Sequence, residues 1–370
     1  MHNQNKMKIC LVAPKAYPLF NPDAKNVKNP FGGSEVDLYL LALELAKDTN
    51  FKVSFITADY GQKDGEIIQN VKIIKSLDFN ENLLKGAARI WRAMRKADAK
   101  IYMLKTASPG VPLAAFFCLL HHRVFAYRTA SEQECNGRYI RAHPLLGSAF
   151  RFSLRMAKFV FTQNITDREN LQRTTGVSSI FIRNGHYINK LDKKNHDIIL
   201  WVARSSPEKK PELFINLAER MPHEKFVMIC PRALGDEKYE QLISRAQTIQ
   251  NLDFIPQVPF HQINEFFQRA KVFVCTSERE GFPNTYIQAC KAATPILSFN
   301  VNPDNFLTEY DCGLCCNGDE TRLAEALKVM LAENRYVELG RNGRKYAEEN
   351  HDITKIIEQY KTIFTQSVAG

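Results

Sequence analysis

The chain has 370 residues, of which 45% are apolar and 24% charged, with 17 glycines and 16 prolines. This composition is ordinary for globular domains and argues against collagen, coiled coil and disorder, and the length predicts two domains. The net charge of +10 is unevenly divided: residues 1–194 carry 30 basic and 16 acidic side chains, and residues 195–370 carry 20 and 24. A basic half commonly faces an anionic partner, such as nucleic acid, a membrane leaflet or a phosphorylated substrate.

Three features predict a cytoplasmic protein. The longest apolar run, Val111 to Leu120, is about half the roughly 20 residues that a membrane-spanning helix needs and predicts a buried helix. The polar segment Met1 to Lys8 leads into a strand without the apolar core of a signal peptide. The nine cysteines are an odd number, scattered along the chain, and are typical of reduced thiols.

Short apolar runs alternate with amphipathic stretches throughout the chain, which predicts βα units and parallel sheets. The predicted strands of the first half are 8–14, 53–58, 71–75, 100–104, 123–128, 159–163 and 179–183. Those of the second half are 198–203, 225–230, 252–255, 271–276, 295–299 and 313–316. Two sets of such units predict an α/β protein with two doubly wound domains.

A polar segment, 186–197, suits a linker, and we place the domains at 1–188 and 189–351. A last helix, within about 352–370, can pack back on the first domain. The sequence alone does not decide which of the two domains it packs on.

The first candidate ligand site is Phe31-Gly32-Gly33-Ser34-Glu35-Val36-Asp37, which opens a helix over 36–46. Ser34 and Asp37 have the spacing of a capping box. Glycines before a helix N-terminus let backbone N–H groups approach an anion. The alternative is a tight turn and a well-capped helix without a ligand.

A second candidate follows the strand 198–203, where Arg204 and Lys209 precede a helix over 211–220. Open α/β sheets bind ligands at the carboxyl ends of their strands. An arginine fork and a lysine point charge can hold a diphosphate from two sides. Taken by itself, a solvated charged loop explains the same residues.

The third and most informative candidate is Ser277-Glu278-Arg279-Glu280-Gly281-Phe282-Pro283-Asn284-Thr285, after the strand 271–276. A helix is predicted to start at Pro283 or Asn284, since both residue types suit that position. Glu280 in the loop, backbone N–H groups between Gly281 and Thr285, and Gln288 one turn into the helix can then contact one polar ligand.

Together these segments resemble the retaining, metal-independent glycosyltransferases of family 4, and the Asn184-Gly185 turn adds to the likeness. The resemblance implies the GT-B architecture, in which two Rossmann-like domains face each other across a cleft. It is strongest over residues 197–300.

The resemblance also implies roles for the residues. Arg204 and Lys209 would bind the donor diphosphate and stabilise its negative charge as it leaves. Glu280 would accept hydrogen bonds from the donor sugar. The pocket would be shaped by Gly281, Phe282, Pro283, Asn284 and Thr285, the base would lie near Val258, and Gly32, Gly33 and Ser34 would close on the phosphates and border the acceptor.

Two positions depart from the family pattern. Gln288 stands where a second glutamate usually accepts both ribose hydroxyls. In the first domain, many relatives have a histidine or aspartate near the reaction centre, and here Glu132 is our candidate for contacting a sugar, with a surface acid as the alternative.

Metal chemistry has little support in the sequence. Cys312-Gly-Leu-Cys315 forms a CxxC, but no second CxxC or histidine pair accompanies it at zinc-finger spacing. The chain has no Asp-x-Asp pair of the kind that metal-dependent glycosyltransferases use. No cofactor is expected.

Two basic, apolar stretches, 82–100 and 135–166, together with the charge of the first half, predict contact with an anionic membrane surface. Ordinary core-facing helices with basic outer faces are the alternative. A nucleic-acid-binding protein is disfavoured because no recognition motif is present.

The resulting hypothesis is an enzyme that transfers a sugar from a UDP- or GDP-sugar to a saccharide or lipid-linked saccharide with retention, in bacterial surface-polysaccharide or lipopolysaccharide synthesis. The alternative is a catalytically weak GT-B subunit that binds nucleotide without turnover.

The variant Gln288→Glu is expected to bind nucleotide about tenfold more tightly, because a carboxylate accepts stronger hydrogen bonds than an amide oxygen. Titration calorimetry with UDP and GDP measures the effect. Tighter binding by the wild type would show that the amide is adapted to its ligand.

Overall fold

A computed structural model describes residues 6–24, 31–191, 196–333 and 335–366. The chain divides into two compact units, one formed by Met1–Gly185 with Ile353–Gly370 and the other by His186–Asp352. The chain therefore passes between the units at 185/186 and 352/353, where the sequence placed the boundaries at 188/189 and about 351/352.

The first unit contains eight strands and nine helices among its described residues. In chain order they are β1 (Met7–Val12), α1 (Tyr17–Phe20), α2 (Gly33–Leu45), β2 (Phe51–Thr57), β3 (Ile67–Ile68), β4 (Val71–Lys75), α3 (Leu83–Ala97), β5 (Ile101–Lys105), α4 (Gly110–Leu120), β6 (Val124–Arg128), α5 (Glu132–Cys135), α6 (Arg138–Ala142), α7 (Pro144–Met156), β7 (Phe159–Thr162), α8 (Ile165–Thr175) and β8 (Ile180–Phe181), with the last helix of the chain returning to this unit.

The first sheet has the strand order β3-β4-β2-β1-β5-β6-β7-β8 and is parallel except for the short β3–β4 pair. Its central strands are almost continuously apolar, as expected when helices cover both faces. On one face α3, α4, α7 and α8 supply a core that includes Ile90, Phe117, Phe150 and Leu171.

The second unit is continuous in sequence. Its elements are β9 (Ile198–Val202), α9 (Pro211–Arg220), β10 (Phe226–Ile229), α10 (Tyr239–Gln247), β11 (Leu252–Ile255), α11 (Ile263–Arg269), β12 (Ala270–Cys275), α12 (Asn284–Lys291), β13 (Ile296–Ser298), α13 (Phe306–Glu309), β14 (Gly313–Cys315), α14 (Glu320–Ala332) and α15 (Tyr336–Asn350).

The second sheet is parallel, with the order β11-β10-β9-β12-β13-β14. Separate apolar cores cover its two faces. One core contains Trp201 and Phe214, and the other contains Phe273 and Tyr286. The sheet is thus buried on both sides, and its loops are left to carry the polar chemistry.

Helix α16 (Ile353–Gln366) follows the second unit in sequence but belongs to the first. It packs against α2, and its Tyr360 and Phe364 rings contact Phe161 of β7. At the start of α16, Ile353 lies so close to Gly185 that a Cβ on this glycine would meet the isoleucine side chain.

The thirteen predicted strands all occur, and the structure adds β3, a two-residue strand too short to leave a pattern. The nine cysteines are free thiols, as predicted. The prediction of a buried helix at Val111 to Leu120 is partly wrong, because Phe116, Leu119 and Leu120 of α4 are exposed. Among the described residues, no helix combines the length and apolar character needed to cross a bilayer.

The capping prediction for α2 is wrong. The helix begins at Gly33, and the Glu35 carboxylate, not Asp37, accepts the N–H of Gly32 at 2.8 Å. The Ser34 hydroxyl also donates to Glu35, at 3.0 Å. Asp37 lies one turn further on and points into the interior, where it has a different role.

Asp37 is the centre of a buried charge cluster at the carboxyl ends of β5 and β6. Its carboxylate accepts hydrogen bonds from Lys105 at 2.8 Å and Arg128 at 2.7 Å. The same guanidinium donates to Asn184 at 2.6 Å and to the Tyr360 hydroxyl at 2.5 Å. The cluster therefore connects α2, two strand ends, the chain just before residue 185, and α16.

Burial raises the pKa of the Asp37 carboxyl, but the charges of Arg128 and Lys105 outweigh it and hold the pKa below its ordinary value. A carboxyl with a lowered folded-state pKa stabilises the fold fully above its unfolded-state pKa of about 3.9. This stabilisation is lost as the pH falls through the folded-state pKa.

Asp37→Ala is expected to destabilise the first unit by about 3–5 kcal/mol, because it leaves two buried cations without a counter-ion. The matched control is Asp98→Asn, because Asp98 ends α3 with a φ of 44°, a conformation that asparagine adopts more readily than alanine. Asp98 also pairs with two cations, Lys8 and Arg123, but its side chain is 53% exposed against 7% for Asp37, so about 1 kcal/mol or less is expected.

Urea unfolding in a Trp201→Phe background measures this difference, because Trp91 is then the single tryptophan and reports on the first unit. Equal losses for the two variants would show that burial adds nothing to the Asp37 cluster.

Candidate active site in the second unit

Strands β9 and β12 lie side by side at the centre of the second sheet. From β9 the chain continues outward to β10 and β11, whereas β12 leads in the opposite direction to β13 and β14. The strand order therefore reverses between β9 and β12, and this reversal point is where open α/β sheets bind their ligands. The loops that follow these two strands carry the second and third predicted motifs.

The loop after β9 presents the two predicted cations differently. Arg204 is exposed and makes no ion pair with any residue that the structure describes. Lys209 ends a short 3-10 turn over Pro207–Lys209, and α9 then begins at Pro211, a residue suited to the first position of a helix.

Two hydrogen bonds at Thr276 join the chain after β12 to strand β9 and to the loop that follows β9. The buried Thr276 hydroxyl, directly after β12, donates to the carbonyl oxygen of Lys209 at 2.6 Å and accepts from the indole N–H of Trp201 at 2.8 Å. The backbone also joins the loops, since the N–H of Glu278 donates to the carbonyl of Glu208 at 2.8 Å. The position of Lys209 is therefore fixed by the chain after β12.

Lys209 and Glu280 form a partly buried ion pair across the two loops. The same Glu280 oxygen accepts from the Ser277 hydroxyl at 3.1 Å. A neighbouring pair, Lys210 with Glu278 at 2.7 Å, repeats the arrangement. Two residues that the sequence assigned to one ligand are thus brought into direct contact.

Helix α12 begins at Asn284 with Pro283 as its N-cap, as the sequence predicted. The Phe282 side chain before it is buried and packs on His351 and Phe306 with ring centroids 4.9 and 5.2 Å apart. This aromatic anchor holds Gly281 and the helix start at the carboxyl edge of the sheet.

Asn284 approaches the buried His186 ring, with its Oδ1 3.2 Å from Nε2. Thr285 is partly buried in the first turn of α12, and Gln288, one turn on, is buried. Val258 lies in the loop after β11, on the same edge of the sheet but two strands away from β9.

The remaining predicted residues belong to the first unit. The start of α2 is formed by Gly32, Gly33 and Ser34. There the N–H of Gly32 already donates a hydrogen bond to the Glu35 carboxylate. Glu132 is the first residue of α5 and accepts from Asn136 at 2.8 Å.

In the segment that follows β6, the acid with a buried side chain is Glu134 and not Glu132. It accepts from the Tyr127 hydroxyl at 2.7 Å and from the N–H groups of Ala130 at 3.1 Å and Ala107 at 3.3 Å. Burial raises the pKa of Glu134. Its position three residues after Ser131 is the only signal the sequence offered.

Sequence reasoning gave no role to Thr276 or to His186. A hydroxyl directly after an apolar strand is a weak signal for Thr276, and no local pattern marks the contact between His186 and Asn284. The CxxC lies at β14 as free thiols. Within the described ranges, no cluster of three or more His, Cys, Asp or Glu side chains is placed to hold a metal ion.

Comparison with solved structures shows the fold class. Over 98% of this chain and 100% of the other, it matches sucrose-phosphate synthase from Thermosynechococcus elongatus with a TM-score of 0.80 and 16% identity. TarM from S. aureus, solved with UDP and alpha-GlcNAc-glycerol, matches over 97% of this chain and 100% of its own with a TM-score of 0.73 and 13% identity. These structures are GT-B glycosyltransferases, so the α/β fold class is confirmed.

The sequence match is more specific. Residues 186–349 match the family model described as Glycosyl transferases group 1, a range that corresponds to the second unit. The chain is also 23% identical over 274 residues to the O-antigen chain mannosyltransferase RfbU of Salmonella typhimurium, covering 70% of this chain and 75% of that protein. The second unit is therefore similar in sequence to group 1 glycosyltransferase domains.

Thr276→Val is expected to weaken nucleotide binding by about tenfold, since it frees the Lys209 segment from β12 and leaves the Trp201 N–H without its partner. Titration calorimetry measures the affinity. Thr294→Val is the matched control, because Thr294 is equally buried and donates to the carbonyl of Phe267 at 2.5 Å on another part of the unit.

Both variants should lose about 1–3 kcal/mol of stability, measured by Trp201 fluorescence in a Trp91→Phe background. The assignment of Thr276 to the site is wrong if the two variants bind nucleotide equally well.

Proposed function

We propose that the protein is a retaining glycosyltransferase that moves a sugar from a UDP- or GDP-sugar to a saccharide or lipid-linked saccharide. The observation that carries this proposal is the Lys209–Glu280 ion pair at the reversal point of the second sheet, with the exposed Arg204 in the same loop as Lys209. The group 1 match over the same unit and the similarity to an O-antigen mannosyltransferase support it.

The chemistry follows from the charges. Transfer breaks the bond between the anomeric carbon and the diphosphate, and negative charge grows on the departing oxygen. Arg204 is exposed and can offer a planar fork of N–H donors to the diphosphate. Lys209 adds a second positive charge from the same loop, and this electrostatic stabilisation lowers the barrier without a protein nucleophile.

Lys209 also connects the two ends of the donor. An ammonium group has three N–H donors, so Lys209 can keep its bond to Glu280 and still donate to a phosphate oxygen. Glu280 retains a second carboxylate oxygen for the hydroxyls of the donor sugar. The Lys209–Glu280 pair thereby positions the sugar relative to the diphosphate.

The rest of the donor pocket is proposed from the surroundings of α12. Gly281, Phe282, Pro283, Asn284 and Thr285 shape it at the helix start, and the anchored Phe282 keeps that start in place. The Gln288 side-chain amide forms hydrogen bonds with the ribose hydroxyls, and Val258 lies beside the base.

We assign the acceptor to the first unit, with Gly32, Gly33 and Ser34 as its loop and Glu132 as a sugar contact. We place the reaction in the cytoplasm, in bacterial surface-polysaccharide or lipopolysaccharide synthesis. Similarity to an O-antigen chain enzyme supports this setting. Gln288 favours one alternative, a GT-B subunit that binds nucleotide without turnover.

A thermal-shift panel with UDP, GDP, CMP and their sugars tests the proposal. A ligand at 100 times its dissociation constant adds about 2.7 kcal/mol, a shift of several degrees for a domain of this size. We expect one nucleotide class to give this shift, and Arg204→Ala to abolish it.

Arg220→Ala is the matched control, because Arg220 is exposed at the opposite end of α9 and its loss changes the charge equally. Turnover of the donor that binds, followed with and without EDTA, distinguishes the enzyme from the binding subunit. Activity that EDTA abolishes would contradict metal independence, and absence of any nucleotide shift would contradict the proposal as a whole.

A further inference from the structure

Helix α4 presents an apolar ridge to solvent. Phe116, Leu119 and Leu120 are 55%, 59% and 56% exposed, and their spacing of three and four residues places them on one face. The helix from Gly110 to Leu120 contains no charged side chain. Grouped apolar side chains at a surface commonly mark an interaction site.

Basic helices lie on both sides of this ridge. Helices α3 and α7 each pack against α4, and the Trp91 ring of α3 lies 6.0 Å from that of Phe116. Helix α7 adds Phe152, which is 63% exposed. The exposed basic residues of the two flanking helices include Arg92, Arg95, Arg151 and Arg155.

The three helices carry no carboxylate anywhere along their length. The nearest acids at the ends of α3 are already engaged, Glu81 with Arg89 at 2.8 Å and Asp98 with Lys8 at 2.8 Å and Arg123 at 2.7 Å. The surface is therefore an apolar centre with positive flanks. We call the faces of α3, α4 and α7 that carry these residues the α4 surface.

We infer that the α4 surface binds an anionic lipid leaflet. A leaflet fits both the apolar ridge and its positive flanks. The ridge can insert among acyl chains, and the arginines can pair with headgroup phosphates. A nucleic acid would use the arginines and leave the leucines in water. A second copy of this chain would place two positive surfaces against each other. The inference concerns a different surface from the transferase site and does not depend on that site's activity.

Vesicle sedimentation tests the inference, with phosphatidylcholine alone and with about one third phosphatidylglycerol, at low and high salt. We expect binding to the anionic vesicles only. Arg92→Glu with Arg95→Glu should lower the partition coefficient at low salt by about 25-fold or more. Leu119→Asp should lower the partition coefficient by about tenfold. This loss should also be seen in the binding that remains at high salt, because salt does not screen the apolar contribution.

The second unit provides matched controls. Arg322→Glu with Lys328→Glu changes the net charge equally on the exposed side of α14, and Leu234→Asp replaces another exposed leucine. These controls should bind as the wild type does. In a Trp201→Phe background, Trp91 emission should shift to the blue when anionic vesicles are added, because its partly buried ring lies beside the exposed Phe116.

Nucleotide thermal shifts should be the same in all these variants, so a failure of the proposed function stays separate from a failure of this inference. Three results would overturn the inference: a wild type that ignores anionic vesicles at low salt, second-unit controls that lose as much binding as the α4-surface variants, or a wild-type dimer that Leu119→Asp converts to monomer.

Discussion

Strands β9 and β12 pair in parallel although two further strands and three helices separate them in sequence. A parallel pair brings equivalent strand ends to one edge of a sheet, so the chain after β9 and the chain after β12 emerge together. The contacts between these two loops depend on this arrangement. The cations come from one loop and the carboxylates from the other, and Thr276 and the Glu278 N–H hold the two loops in register. Phe282, buried against its aromatic neighbours, prevents α12 from drifting away from that edge.

The two lysines of the candidate site are already paired with carboxylates of the same site. Lys209 pairs with Glu280 and Lys210 pairs with Glu278, so under the proposed function a donor diphosphate would bind cations that already have partners. Lys209 would gain less free energy from a phosphate than an unpaired cation would, because Glu280 already satisfies part of its charge before binding. Arg204 is different, since it is exposed and without an ion pair among the described residues. Under the proposed function, we therefore expect Arg204 to gain the most free energy in this loop from a phosphate, and its contribution to affinity to depend least on its neighbours.

Local pattern was sufficient for thirteen of the fourteen described strands and insufficient for the long-range contacts. Strands buried on both faces are continuous apolar runs, and Pro283 before Asn284 marks a helix start, so both could be read from the sequence. The capping prediction for α2 was wrong because the spacing of Ser34 and Asp37 fits the capping box, whereas the Asp37 side chain is bound by residues of two distant strands. Lys105, Arg128, Asn184 and Tyr360 come from four separate segments, and no spacing rule connects them. The outer face of α4 was missed for a related reason, since a fully apolar segment gives no sign of which side faces water.

The return of α16 to the first unit has a consequence for how the chain is made. The second unit, His186–Asp352, is continuous and has all of its strands once synthesis reaches the end of α15. The first unit has its eight strands long before that, yet the Arg128 guanidinium lacks the Tyr360 hydroxyl and Phe161 lacks its aromatic cover until the last helix has left the ribosome. Although domains generally fold in order from the N-terminus, the half of this protein that is translated first is the half that is completed last.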